Sequence, residues 1–299
     1  FLLSFAQMRA DEGMWLMMLV KRLNGKDLQK QGLRLTAEEI YSVNNSSLKD
    51  AIVQFNGGCT AEVVSKEGLL FTNHHCGYSA IADASSVDHN YLRDGFWAKS
   101  KSEEIYAPGV HAQFLMKIVD VTDKVNEKIK DVPALELTQK LPGILAEMAT
   151  KETEGSGYEG RIASMFKANQ FLLFVYERYK DVRLVGTPPE SIGKFGGDTD
   201  NWEWPRHTGD FSVFRVYMSK DGKPAKYSAD NVPLKPKYHL PVSLKGFKDG
   251  DYSMIYGYPG GTNRYETSYG VKIKTDIENP TLVNLRDMRL KYMLEEMKK

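Results

Sequence analysis

Long apolar runs, an excess of charge and cysteine are what this 299-residue sequence has least of. No window approaches the roughly 18 consecutive apolar residues of a membrane-spanning helix, which excludes an integral helical membrane protein. Lys+Arg 40 against Asp+Glu 39 leaves a formal charge of +1, so there is no electrostatic footprint for nucleic acid. Only two cysteines, Cys59 and Cys76, rule out a disulfide-dense miniprotein and an all-cysteine zinc site. Repeats and low-complexity tracts are absent too. What remains is an ordinary globular mix, 41% hydrophobic and 26% charged, on a chain long enough for a sizeable core and about two domains.

The sequence opens without an initiator Met. Phe1–Ala10 is an apolar stretch running into small residues, which reads as the remnant of a secretory signal peptide. Residues 11–31 look helical, with Trp15, Leu16, Leu19 and Leu23 able to share a face and Gly32 closing, and Thr36-x-x-Glu39 is a capping box. Residues 51–72 then switch to strand–turn–strand grammar: Ala51–Phe55, Ala61–Val64 and Gly68–Thr72. Residues 120–169 are charged and helical in pattern. Strand grammar returns at Phe171–Tyr179, Val182–Val185, Phe211–Tyr217, Tyr238–Val242 and Tyr252–Tyr256. Asn279-Pro280 is expected to start a final helix, Asn as cap and Pro in its first turn. With no stop signal before Lys299, the chain is expected to be the N-terminal part of something longer. Two β-rich blocks thus flank a helical connection.

Two segments concentrate special residues. The first is Gly57-Gly58-Cys59-Thr60 followed by Gly68–Thr72 and Asn73-His74-His75-Cys76. Cysteines 17 apart on neighbouring strands can come within disulfide range, in keeping with an exported chain, and a disulfide there would hold the histidine loop rigid. The alternatives at this point are two core cysteines with packed histidines, or a metal on His74, His75 and Cys76. Consecutive residues point in different directions, so the metal set is poor geometry, and no His-Glu-x-x-His offers a better one. The second segment is Gly193–Phe211, which packs Asp198, Asp200, Asp210, Trp202, Trp204, His207 and four glycines into 19 residues. Loops of this kind carry sites, because a scaffold can hold them while leaving polar groups exposed. Asp210 stands where the loop enters a strand, so its carboxylate can be aimed from a fixed backbone; Asp198 and Asp200 compete with it.

A histidine on one β unit and an orienting aspartate on the next are two-thirds of a Ser-His-Asp triad. The serine is missing. None of Ser212, Ser219, Ser228, Ser243, Ser253 or Ser268 has a Gly-x-Ser-Gly setting, and Gly155-Ser156-Gly157 precedes the aspartate in a charged helical stretch.

Asp11-Glu12-Gly13-Met14-Trp15, Gly57–Thr60, Thr72–Tyr78, Gly193–Phe195 and Asp198–Phe211 together closely resemble the bacterial dipeptidyl-peptidase 7 and dipeptidyl-peptidase 11 family. The likeness runs from about residue 11 to the end. It implies a mainly β fold with helical insertions: a chymotrypsin-like double β-barrel at residues 11–275, incomplete and with a helical connection at about 120–169. An inserted α-helical domain would begin at residues 276–299. The resemblance further implies an exported serine exopeptidase of the periplasm or cell surface of a Gram-negative bacterium. It would act on peptides with a free N-terminus, without cofactor or metal, as a homodimer in full length. His75 becomes the triad base and Asp210 its orienting partner, with His74 pointing elsewhere. Asn201 and Trp202 become the holders of the substrate's ammonium, and the serine, oxyanion glycine and S1 residues fall beyond Lys299. A preference for Asp/Glu or for hydrophobic residues at P1 stays open, with Ser47–Asp50 and Leu184–Gly186 leaning toward the acidic-specific branch. The alternatives are an endopeptidase with the same triad and a noncatalytic exported β-barrel binding module.

Overall fold

The computed structural model describes residues 14–23, 25–197, 200, 203–261 and 266–299. The chain divides into two compact units at Pro259/Gly260. The first is mostly β. Its strands are β1 (Ile52–Phe55), β2 (Cys59–Val63), β3 (Leu69–Thr72), β4 (Phe96–Trp97), β5 (Ile105–Tyr106) and β6 (Ala112–Asp120). They continue with β7 (Glu159–Met165), β8 (Gln170–Tyr179), β9 (Asp181–Thr187), β10 (Ser212–Met218) and β11 (Val232–Pro233). All pair antiparallel in one sheet of order β4-β9-β10-β3-β2-β1-β6-β8-β7, with β11 on β10 and β5 on β9. Among the described residues β4 and β7 do not pair with each other, so the sheet is not closed.

The helices of this unit are α1 (Val20–Leu23), α2 (Gly25–Lys30), α3 (Ala37–Ile40), α4 (His74–Ala84), α5 (Tyr91–Asp94), α6 (Thr122–Ile129), α7 (Ala134–Thr153) and α8 (Glu190–Gly193). Thr36 and Glu39 form the expected capping box on α3. The principal core gathers Val53, Phe55, Val63, Leu70, Leu184 and Phe214, all buried, from strands on both sides of β3. A second cluster packs α6 and α7 on β8 through Val125, Leu145, Ala149, Phe171 and Leu173.

Several elements depart from the sequence expectation. The helical connection ends at Thr153, and Glu159–Met165 is a strand. Gly155 and Gly157, at φ +70° and +77°, turn the chain back onto β8. Sparse burial hid it: β7 ends the sheet path and only Ile162 in it is buried, while Glu159 pairs with Arg178. β6 escaped period-two reading because a register shift between Leu115 and Lys117 breaks its alternation. Tyr238–Val242 and Tyr252–Tyr256 are not strands. The first makes the Leu240 N–H bond to the Val63 carbonyl without a continuing ladder, and the aromatics of the second pack on the N-terminal cluster of Val20, Leu33 and Ile40.

The second unit holds α9 (Ser268–Ile273) and α10 (Asn279–Met297), joined by a π-helical segment at Lys274–Glu278. Asn279 is therefore no cap; the run is capped by Thr267, whose hydroxyl accepts the Gly270 N–H. Pro280 lacks the N–H that would bond four residues back, and the ladder widens just before it.

Cys59 opens β2 and Cys76 lies in the first turn of α4, joined by a disulfide with Cα atoms 6.1 Å apart. The link is strand to helix, not strand to strand as the sequence pattern suggested. Replacing both cysteines by alanine is expected to lower unfolding free energy by about 2–4 kcal/mol in denaturant titrations. Free thiols in oxidised, folded protein, detected by intact mass after alkylation, would refute the pairing.

Candidate active site

β3 and β10 are antiparallel neighbours with Thr72 opposite Ser212. The chain leaving β3 and the chain entering β10 therefore emerge at the same end of the sheet. That register brings Asn73, His74 and His75 beside Gly209 and Asp210, although His75 and Asp210 are 135 residues apart.

α4 begins at His74, and the side chain of its N-cap residue Asn73 makes no capping bond. The Asn73 Nδ2 instead donates to the backbone and carboxylate oxygens of Asp210, each at 3.2 Å. Asp210 Oδ1 accepts the His75 backbone N–H at 3.1 Å. A carboxylate from the segment entering β10 thus satisfies an amide that the helix start leaves unpaired, where the helix dipole also favours negative charge. The other oxygen, Oδ2, lies 2.8 Å from His75 Nδ1. In the tautomer that donates from Nδ1, Nε2 is left free to accept a proton. The His75 side chain is 70% exposed while that of Asp210 is 17% exposed, so the ring is gripped at one nitrogen and open to an incoming group elsewhere.

Burial on its own would raise the Asp210 carboxyl. The backbone N–H and ring of His75, its charge and the His74 amide outweigh that and hold it below 3.8. α4 sits tightly on β10: a Cβ at Gly77 would lie 2.6 Å from Ser212 Oγ, and that hydroxyl donates to the Asn73 carbonyl. Asn73 was not singled out from sequence. Its signal was its place directly before the histidines, at a helix start that strand grammar obscured.

His74 is buried, and its Nε2 has no hydrogen-bond partner among the described residues; burial is the main cause lowering its pKa, against the opposing charges of Asp210 and Glu190. Ligand atoms of Cys59, His75 and Cys76 lie within 4.8 Å of one another, a set different from the consecutive one considered above. Both sulfurs are bonded to each other there, and metal ligation requires thiolates. Asp200 lies in the loop after α8, where it lines a pocket of about 290 Å³ with Phe195, Glu203, Arg206 and His207. Asp198, Asn201 and Trp202 lie outside the described residues. Ser156 donates to the Thr153 carbonyl at 2.6 Å and accepts the Tyr158 N–H, closing the turn after α7.

A model of the peptidase S46 family matches residues 10–299. Dipeptidyl-peptidase 7 of Capnocytophaga gingivalis is 50% identical over 300 residues, 100% of this chain and 42% of that protein. The Asp/Glu-specific dipeptidyl-peptidase of the same organism is 47% identical over 290 residues, 96% of this chain and 40% of that protein. The crystal structure of Porphyromonas endodontalis DPP11 in complex with the dipeptide Arg-Glu superposes with a TM-score of 0.89 at 44% identity, covering 96% of this chain and 42% of that one. The chain therefore spans well under half the length of these relatives.

The hold on Asp210 has a pH signature. A carboxyl whose folded pKa is depressed adds stability above its unfolded value and loses it as pH falls through the folded one. Asp210→Asn keeps the shape and removes the charge. The stability gap between wild type and variant should be full at pH above the ordinary 3.8 and close progressively below it. Chemical denaturation at a series of pH values measures this, and a gap constant into strong acid would contradict it.

Proposed function

The chain belongs to the peptidase S46 family, and from that premise we propose that it is the N-terminal part of a serine-type dipeptidyl peptidase releasing N-terminal dipeptides from peptides. The observation that carries the mechanism is the 2.8 Å contact of His75 Nδ1 with Asp210 Oδ2 beneath an exposed ring. Asp210 orients the imidazole and stabilises its charged form. His75 takes the proton of a serine hydroxyl as that oxygen attacks the peptide carbonyl, then returns it to the leaving amine. Water resolves the acyl-enzyme by the same route in reverse. We assign the serine and its oxyanion amides to the part of the full-length enzyme that relatives possess and this chain does not span.

Asn201 and Trp202 are our candidates for the ammonium site. An asparagine carbonyl can accept from the substrate's free amine, and a tryptophan offers its carbonyl or its π-face. The support is the position of this pair between Gly193 and Asp210, in a loop that returns directly to the acid. The open antiparallel sheet is read as the walls of a double β-barrel. Residues 11–275 would be the catalytic domain and 276–299 the start of a helical one, supported by the helical run from Ser268 to Met297. Export to the periplasm or cell surface accords with the disulfide, which oxidising compartments favour. Among the described residues no helix is long and apolar enough to cross a membrane. Homodimerisation of the full-length enzyme comes with the family reading.

The test uses the full-length enzyme with dipeptidyl reporter substrates carrying Asp/Glu or hydrophobic residues at P1, free or N-acetylated. Free-amine substrates should be cleaved, blocked ones poorly. His75→Ala should abolish turnover, and Asp210→Asn should lower kcat by about 10⁴-fold. Asn201→Ala should weaken use of free substrates by roughly 1–3 kcal/mol and change blocked ones little. Cleavage inside blocked peptides would favour the endopeptidase, and no hydrolysis with an intact serine would favour the binding module.

A further inference from the structure

The residue before His75 carries a role of its own. His74 is 1% exposed, and its Nε2 has no hydrogen-bond partner among the described residues. Burying an unpaired ring nitrogen works against stability, so a position selected for packing alone would favour an apolar side chain. What the ring touches supplies the reason. A Cβ added at Gly193, the last residue of α8, would lie 2.4 and 2.5 Å from His74 Cδ2 and Cγ and 2.8 Å from Nε2. Gly193 has no positive φ, so an alanine there meets no backbone strain. The ring excludes it.

α8 is clamped on its other sides as well. A Cβ at Gly95 would meet Pro189 N at 3.0 Å, just ahead of α8, and one at Gly209 would meet Ile192 Cγ2 at 2.7 Å. The Gly209 N–H donates to the Ile192 carbonyl at 2.9 Å, and Thr208 Oγ1 donates to the Phe195 carbonyl at 2.8 Å. The segment between Gly193 and Gly209 is therefore a loop with a closed stem. One foot rests on His74, beside His75; the other is Gly209, beside Asp210.

We propose that His74 is a positioning residue for this loop: its buried ring is the seat that sets the loop's first foot in register with the His75–Asp210 pair. The assignment rests on the reading of the loop as the holder of the substrate's amine. With the seat disturbed, the loop shifts relative to His75 while the base keeps its own bonds to Asp210. Binding suffers and proton transfer does not.

Three variants of the full-length enzyme test this: His74→Ala, Gly193→Ala and the double variant. Each single change should raise KM for free-amine dipeptidyl substrates on the order of tenfold, with kcat within about threefold and its pH profile unmoved. The double variant should recover part of the Gly193→Ala loss, because removing the ring makes room for the new methyl group. Amide hydrogen exchange should quicken across residues 194–208 in each single variant and stay slow in β10. That readout needs no activity: if the unmodified enzyme cleaves no dipeptidyl substrate, the functional reading fails while exchange still judges the seat. The proposal is overturned by a lowered melting temperature with KM unmoved, by a changed kcat and pH profile with KM unmoved, by additive losses in the double variant, or by unchanged exchange in the loop. Should Gly193→Ala not fold, His74→Ala alone decides through KM and exchange.

Discussion

One carboxylate organises this end of the molecule. Asp210 spends Oδ1 on the His75 backbone amide and Oδ2 on the His75 ring, with the Asn73 amide bridging its side chain and backbone. A helix start and a side-chain orientation are thereby fixed by the same group. The arrangement works only because Thr72 and Ser212 face each other across the β3–β10 ladder. A one-residue slip of that ladder would turn every side chain of one strand to the opposite face and carry Asp210 away from the helix start. The buried core around Leu70 and Phe214 makes such a slip costly, so precision at the site derives from packing below it.

Around this pair the structure uses covalent and steric constraints more than charge. The disulfide ties the first turn of α4 to β2. The close approach at Gly77 keeps α4 against β10, where any larger residue would push the helix and His75 outward. Neither depends on pH or salt. If His75 acts as the proposed base, its charge changes in each turnover, and supports that do not respond to charge would keep its place through the cycle.

The two segments that hold His75 and Asp210 were legible because both are dense with residues that ordinary linkers lack, whereas the choice of His75 over His74 came from the family resemblance. The strands at 52–72, 170–187 and 212–218 were legible from turn grammar and apolar runs. What escaped had physical reasons. The start of α4 was hidden because strand grammar runs up to Thr72 and its cap Asn73 bonds to Asp210 instead of to the helix. β7 was hidden because a strand at the end of the sheet buries only Ile162, so no apolar alternation marks it. The tyrosines at 252 and 256 looked like a strand because they are packed against Ile40 and Val20, and burial without a ladder leaves the same apolar signature. Gly193 was only one of four glycines in its segment, and nothing local shows that a buried imidazole stands where its side chain would go.

An exopeptidase faces a metric problem that an endopeptidase does not. It must fix the distance from a substrate's terminal amine to the scissile carbonyl, so the group that holds the amine has to be surveyed from the base itself. A holder placed on a remote domain would transmit every domain motion into that distance. Here the loop proposed for the task leaves the fold against the residue preceding His75 and returns at the residue preceding Asp210. Its reference points are the two groups whose geometry it must match. The stem closed from the Ile192 carbonyl to the Gly209 amide ties both feet of that loop to the same place in the fold.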